Sequence, residues 1–147
     1  MRRGGACPTD LARLHSEVMA GESDLMPATT ITQATELIHH KWARAPKLPV
    51  PTVGQVTASC VHEVADREVI CLKLEHKGQP ITMVVGHSRE VVCSAEHQQV
   101  TRNGRTYFVH DRNGVRMVMI NHEDRWVCIM GGVSIEDLTE IADGLEF

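Results

Sequence analysis

The feature that most limits the fold is a pair of Asn-Gly dipeptides, at 103–104 and 113–114, each flanked by strand-length segments. Asn-Gly favours a two-residue turn because both residues tolerate the positive φ angles of a type I′ turn. Glu123-Asp124 is the third predicted turn. The spacing therefore predicts an antiparallel meander over 98–131. One of its faces collects seven large side chains: Val100, Tyr107, Val109, Val118, Ile120, Val127 and Ile129.

Two more turns, at Asp66-Arg67 and Lys77-Gly78, predict a second meander over 55–85. In this register His62 lies directly opposite Cys71. One face is continuously apolar, and a slip of one residue would move all of its side chains to the other side. These side chains are Val61, Ile70, Leu72, Leu74, Ile81, Met83 and Val85.

Two helices are predicted beside the strands. Thr30 and Gln33 form a capping box before a helical apolar period over 31–45. Ser134 caps a second amphipathic helix over 134–145. Residues 1–29 are interpreted as a peripheral arm with a short helix, and 30–147 as a single domain. The predicted fold class is α+β: antiparallel β-meander sheets of about six strands, packed with the helices at 31–45 and 134–145.

Composition excludes several classes of function. The chain has 147 residues, a net charge of −4 and 3% aromatic residues, which argues against a nucleic-acid partner. No apolar run approaches the roughly 18 residues of a membrane span. Arg2 and Arg3 are followed by no hydrophobic segment, and five cysteines lack the spacing of a disulfide framework. These features predict a cytoplasmic chain without a membrane span.

Two groups of thiols and imidazoles are candidate zinc sites. Cys60, His62 and Cys71 come together in the predicted first hairpin, and thiolate and imidazole are ligands that zinc prefers. The second candidate is His87, Cys93 and His97, in the connection between the meanders. The alternative interpretation is buried thiols with a hydrogen-bonded histidine in the first group, and a polar surface loop in the second.

The other face of the second meander is also apolar, and it is rich in methionine. Such side chains make adaptable contact surfaces, so a helix or another subunit is expected to cover this face in preference to a soft ion such as Cu(I). The candidate partner or dimer face consists of Phe108, His110, Met117, Met119, Trp126, Cys128 and Met130.

Enzyme signatures are sparse. The sequence contains no G-x-S-x-G elbow, Walker-type loop or G-x-G-x-x-G motif. The acidic pairs Glu123-Asp124 and Glu136-Asp137 fit a turn and a helix start. The sequence assembles no nucleophile, base and orienting group, which favours a non-enzymatic function.

Three segments carry a resemblance to a known family. They are Pro49 to Gly54 with the strand that follows, the hairpin from His76 to Val85, and the run from Trp126 to Ser134 that leads into the last helix. Over about residues 47–145 the chain resembles the soluble C-terminal domain of membrane-associated anti-sigma factors. That family's His-x3-Cys-x2-Cys zinc motif and transmembrane helix have no counterpart here. The resemblance implies a stand-alone or detached sensory module.

Three functions remain open at this point. The first is a regulatory, sensor-like domain that binds a protein partner or a second copy of itself, through the methionine-rich face or an edge strand. The second is a metal- or thiol-responsive binding protein that uses the first hairpin. The third is a small enzyme with an unrecognised site.

Overall fold

A computed structural model describes residues 12–16, 26–27, 30–42, 48–64, 67–86, 98–102, 104–112, 114–122 and 125–146 of the chain. Within these ranges the chain forms helices and antiparallel strands. In chain order they are helix α1, described over 12–16, β1 (Met26–Pro27), α2 (Ile31–Lys41), β2 (Val50–Pro51), β3 (Gln55–Val64), β4 (Arg67–His76), β5 (Gln79–Gly86), β6 (Gln98–Arg102), β7 (Arg105–Arg112), β8 (Val115–His122), β9 (Arg125–Gly131), α3 (Ile135–Asp143) and β10 (Leu145–Glu146).

Eight strands form one antiparallel sheet in the order β1-β3-β4-β5-β9-β8-β7-β6, and β2 pairs separately with β10. The two predicted meanders are thus halves of a single sheet. They join where β5 pairs with β9, with Met83 opposite Ile129 and Val84 opposite Cys128. The α+β class and the antiparallel sheet are confirmed, while the sheet has more strands than the six predicted.

Two-residue loops set the register of five strand pairs. The closing pairs are Val64 with Arg67, His76 with Gln79, Arg102 with Arg105, Arg112 with Val115, and His122 with Arg125. Gly104 and Gly114 have φ angles of +77° and +81°, as the predicted Asn-Gly turns require. Lys77 and Gly78 also both have positive φ, which is the type I′ pattern.

The first hairpin turns one residue earlier than predicted. Cys60 lies opposite Cys71, and His62 lies opposite Val69, so the predicted pairing of His62 with Cys71 is wrong. No glycine marks this turn in the sequence. A turn moved by one residue shifts the pairing by two, and the predicted apolar side chains Val61, Ile70, Leu72 and Leu74 therefore keep their predicted face.

One face of the sheet packs against α2 and α3, and we call it the helical face. Ala34 and Ile38 of α2 and Leu138 and Ile141 of α3 are buried against it. Both predicted apolar sets lie on this face, with Val61 partly buried. Val100 is the exception: it is 37% exposed because β6 is an edge strand.

Both predicted helices end earlier than expected. Thr30 and Ser134 cap them as predicted, since each hydroxyl accepts a hydrogen bond from a backbone N–H three residues later. Helix α2 ends at Lys41, where the next residue takes an extended conformation. Helix α3 ends at Asp143, because the Gly144 carbonyl accepts a hydrogen bond from the Thr52 backbone N–H and the chain continues as β10.

The packing of Gly86 against Trp126 yields a stability prediction. A Cβ at Gly86 would collide with the buried Trp126 ring, whereas a Cβ at Gly132 would meet no atom within 4 Å. Overpacking of this kind costs about 1–3 kcal/mol, so Gly86→Ala should lower the free energy of unfolding by that amount. Urea denaturation checks this against Gly132→Ala as the control. Equal midpoints for the two variants would contradict the packing described.

Candidate functional site

The first predicted metal group lies on β3 and β4. Cys60 and Cys71 are directly opposed and buried as thiols on the face away from α2 and α3. Their neighbour along the sheet is Val84, followed by Cys128. Within the part of the chain that the structure describes, these thiols do not belong to a group of three or more metal-ligating atoms. A zinc site on Cys60, His62 and Cys71 stays a prediction.

The second predicted metal group cannot be placed. His87, Cys93 and His97 all lie outside the described residues.

The predicted partner face is buried within the single chain. Met117, Met119, Trp126, Cys128 and Met130 are each no more than 2% exposed. Phe108 is partly buried against them and His110 is half-buried. Ala12 and Leu14 of α1 belong to the same cluster, which we call the sulfur face because of its cysteines and methionines. A partner or dimer role for this face stays a prediction.

A buried hydrogen bond fixes α1 on the sulfur face. His15 Nδ1 lies 2.8 Å from the hydroxyl Oγ1 of Thr82 on β5. Thr82 is fully buried and His15 nearly so. Burial lowers the pKa of His15 below its ordinary value of 6.5, because a charged ring loses its hydration there. The neutral imidazole is therefore the form that suits the packed position of α1.

Strand β6 lies at one edge of the eight-stranded sheet. Among the described strands, β6 pairs only with β7. Gln99, Val100, Thr101 and Arg102 are all exposed. Val100 is one of only two large hydrophobic residues that are exposed in the described ranges.

A polar network holds β6 and β7 against the end of α3. Arg102 Nε on β6 lies 2.7 Å from Asp143 Oδ2, and the Tyr107 hydroxyl donates to Asp143 Oδ1 at 2.5 Å. Arg105 donates to the carbonyls of Ala142 and Leu145 at 2.8 and 2.9 Å, where a positive charge suits a helix C-terminus. Burial and the hydrogen bond to Asp143 raise the pKa of Tyr107 to about 12, so the hydroxyl stays a donor. The edge strand is thus held in one position.

One polar cluster in the structure was not predicted from the sequence. His76 at the end of β4 lies beside Asp137 and Glu140 of α3, with His76 Nε2 3.3 Å from Glu140 Oε1. The sequence separates His76 from the two acids by some sixty positions. The i, i+3 spacing of the acids on a predicted helix was the only local signal.

Comparison with known proteins adds no relative: no family model, no curated protein and no solved structure matches the chain. Within the described ranges, no helix has the length and apolar character that crossing a membrane requires.

The His15 contact predicts a pH dependence of stability. The folded chain keeps His15 neutral to lower pH than the unfolded chain does, so the unfolded chain binds more protons below about pH 6.5. The stabilisation is present above that pH and is lost as the pH falls towards the lowered pKa. The urea midpoint should therefore drop between about pH 7 and about pH 5.

His15→Gln should flatten this pH dependence, while His39→Gln, at an exposed position on α2, should leave it as in the parent chain. A His15→Gln variant with the parent's pH profile would contradict the role of this contact.

Proposed function

We propose that this chain is a non-enzymatic, sensor-like regulatory domain that acts through protein–protein contact, and that its contact strand is β6, paired with β6 of a second copy. The observation that carries this proposal is the exposed outer edge of β6, with Val100 at its centre. Uncovered edge strands pair readily with other chains. The resemblance to the sensory domain of anti-sigma factors supports a function of the same class.

The hairpin geometry identifies which backbone groups of β6 face outward. In a two-residue hairpin, the residues that flank the loop exchange both hydrogen bonds, and every second pair does so from there. Arg102 and Val100 therefore bond to Arg105 and Tyr107 on β7. The N–H and C=O groups of Gln99 and Thr101 point away from the sheet, where they would form hydrogen bonds with an added strand.

One symmetric register satisfies all of these outward groups. If two β6 strands pair antiparallel about Val100, Gln99 of each copy exchanges hydrogen bonds with Thr101 of the other. The two Val100 side chains then meet in the closer, non-hydrogen-bonded type of pair. In this register Arg102 of one copy does not lie opposite Arg102 of the other, which avoids repulsion between like charges.

Holding β6 in place lowers the cost of this contact. Arg102 is already fixed by Asp143, and β7 is fixed to α3 through Arg105. A strand that is ordered before it binds loses less conformational entropy on pairing. The interface is small, so we expect a dimer that dissociates on dilution.

The test is the oligomeric state of a Thr101→Pro variant. Proline removes the outward N–H of Thr101 but no hydrogen bond to β7, and it tolerates an edge strand. Sedimentation equilibrium should show a concentration-dependent dimer for the parent chain and a monomer for Thr101→Pro. Thr101→Val, which keeps the N–H, is the matched control and should dimerise like the parent.

The circular dichroism spectrum of Thr101→Pro should match that of the parent, which separates loss of pairing from loss of folding. A parent chain that stays monomeric at millimolar concentration would refute self-pairing through β6. So would a Thr101→Pro variant that dimerises as strongly as the parent.

A further inference from the structure

The cluster at the β4–β5 turn combines one imidazole with two carboxylates. The Lys77-Gly78 turn brings His76 over the first two turns of α3, where Asp137 and Glu140 lie on one side of the helix. One ligating atom from each of the three residues lies within 4.8 Å of the other two. The fourth member is Lys77, whose Nζ lies 3.6 Å from Asp137 Oδ1 and 3.9 Å from Glu140 Oε1.

The imidazole of His76 is buried without a hydrogen bond at Nε2. Its side chain is 9% exposed, and Nε2 forms no hydrogen bond although Glu140 Oε1 is only 3.3 Å away. A buried polar atom without a partner destabilises the folded state. Nε2 is therefore directed into the cluster with its bonding capacity unused.

The spacing fits a small divalent ion. Two ligands that lie about 2.1 Å from a zinc ion at the tetrahedral angle are about 3.4 Å apart. The distance of 3.3 Å between His76 Nε2 and Glu140 Oε1 is close to this value. Asp137 lies on the same side of the helix, and a rotation of its short side chain would bring its carboxylate to the ion.

The charge of the cluster also suits a divalent ion. Asp137 and Glu140 carry two negative charges, and Lys77 neutralises one of them across a distance of more than 3.5 Å. Lys77 is 65% exposed, so it can move into solvent at little cost. Its departure would leave two negative charges beside an unpaired imidazole nitrogen.

We propose that His76, Asp137 and Glu140 form a binding site for a divalent transition-metal ion, with Lys77 as the side chain that the ion displaces. One nitrogen and two carboxylate oxygens favour Zn²⁺, Co²⁺ or Mn²⁺ over Mg²⁺ and Ca²⁺, which prefer oxygen ligands alone. Water completes the coordination. The ion joins α3 to the β4–β5 hairpin and stabilises the folded state by mass action.

The test is a Co²⁺ titration of the untagged protein, followed by visible absorption and by thermal unfolding. Co²⁺ should bind saturably, give the d–d bands of nitrogen and oxygen coordination, and raise the unfolding temperature. Lys77→Ala should bind about tenfold more tightly, because a positive charge a few ångströms from the ion is removed. Glu140→Gln should lose binding. Glu136→Gln, an exposed acid on the same helix, is the control and should bind like the parent.

Three results would overturn the proposal. The first is the absence of saturable Co²⁺ binding by the parent and by Lys77→Ala. The second is binding by Glu140→Gln with the affinity of the parent, since Glu140 is exposed enough for this variant to fold. The third is a thiolate-to-cobalt charge-transfer band, which would place the ion on cysteines such as Cys60 and Cys71.

Discussion

Two-residue turns are the constraint on which the rest of this structure depends. A tight turn leaves the two strands it joins a single register, and register decides which side chains share a face. Five such turns in one sheet, with one irregularity between Val56 and Ala58, determine which side chains of the two meanders lie on the helical face and which on the sulfur face. Helices α2 and α3 pack on the helical face, where their apolar side chains form one buried cluster with those of the sheet.

The pairing of β5 with β9 makes the two meanders one domain. It aligns Val84 with Cys128 and so extends the sulfur face across both halves of the sheet, under α1. It also leaves β6 at an edge of the sheet, although β6 follows β5 in the chain. The position of the proposed contact strand is thus a consequence of a pairing far from it, and the anchoring of Arg102 by Asp143 follows from the same arrangement.

Local signals made much of this fold predictable, and the failures are those of non-local pairing. The Asn-Gly turns and Lys77-Gly78 have one compatible geometry, so the registers that follow from them are right. The first hairpin has no such dipeptide and was misplaced by one residue. The β5–β9 joint, the edge exposure of Val100 and the meeting of His76 with Asp137 depend on how distant segments assemble, which no local period encodes.

The most direct measurement of the central claim is the set of backbone nuclear Overhauser effects between strands in solution. The arrangement described here predicts contacts that link Met83 with Ile129 and Val84 with Cys128, together with contacts between Val109 and Val118. Contacts that instead place β5 beside β6, or that show two separate sheets without a β5–β9 joint, would contradict the single sheet and the edge position of β6.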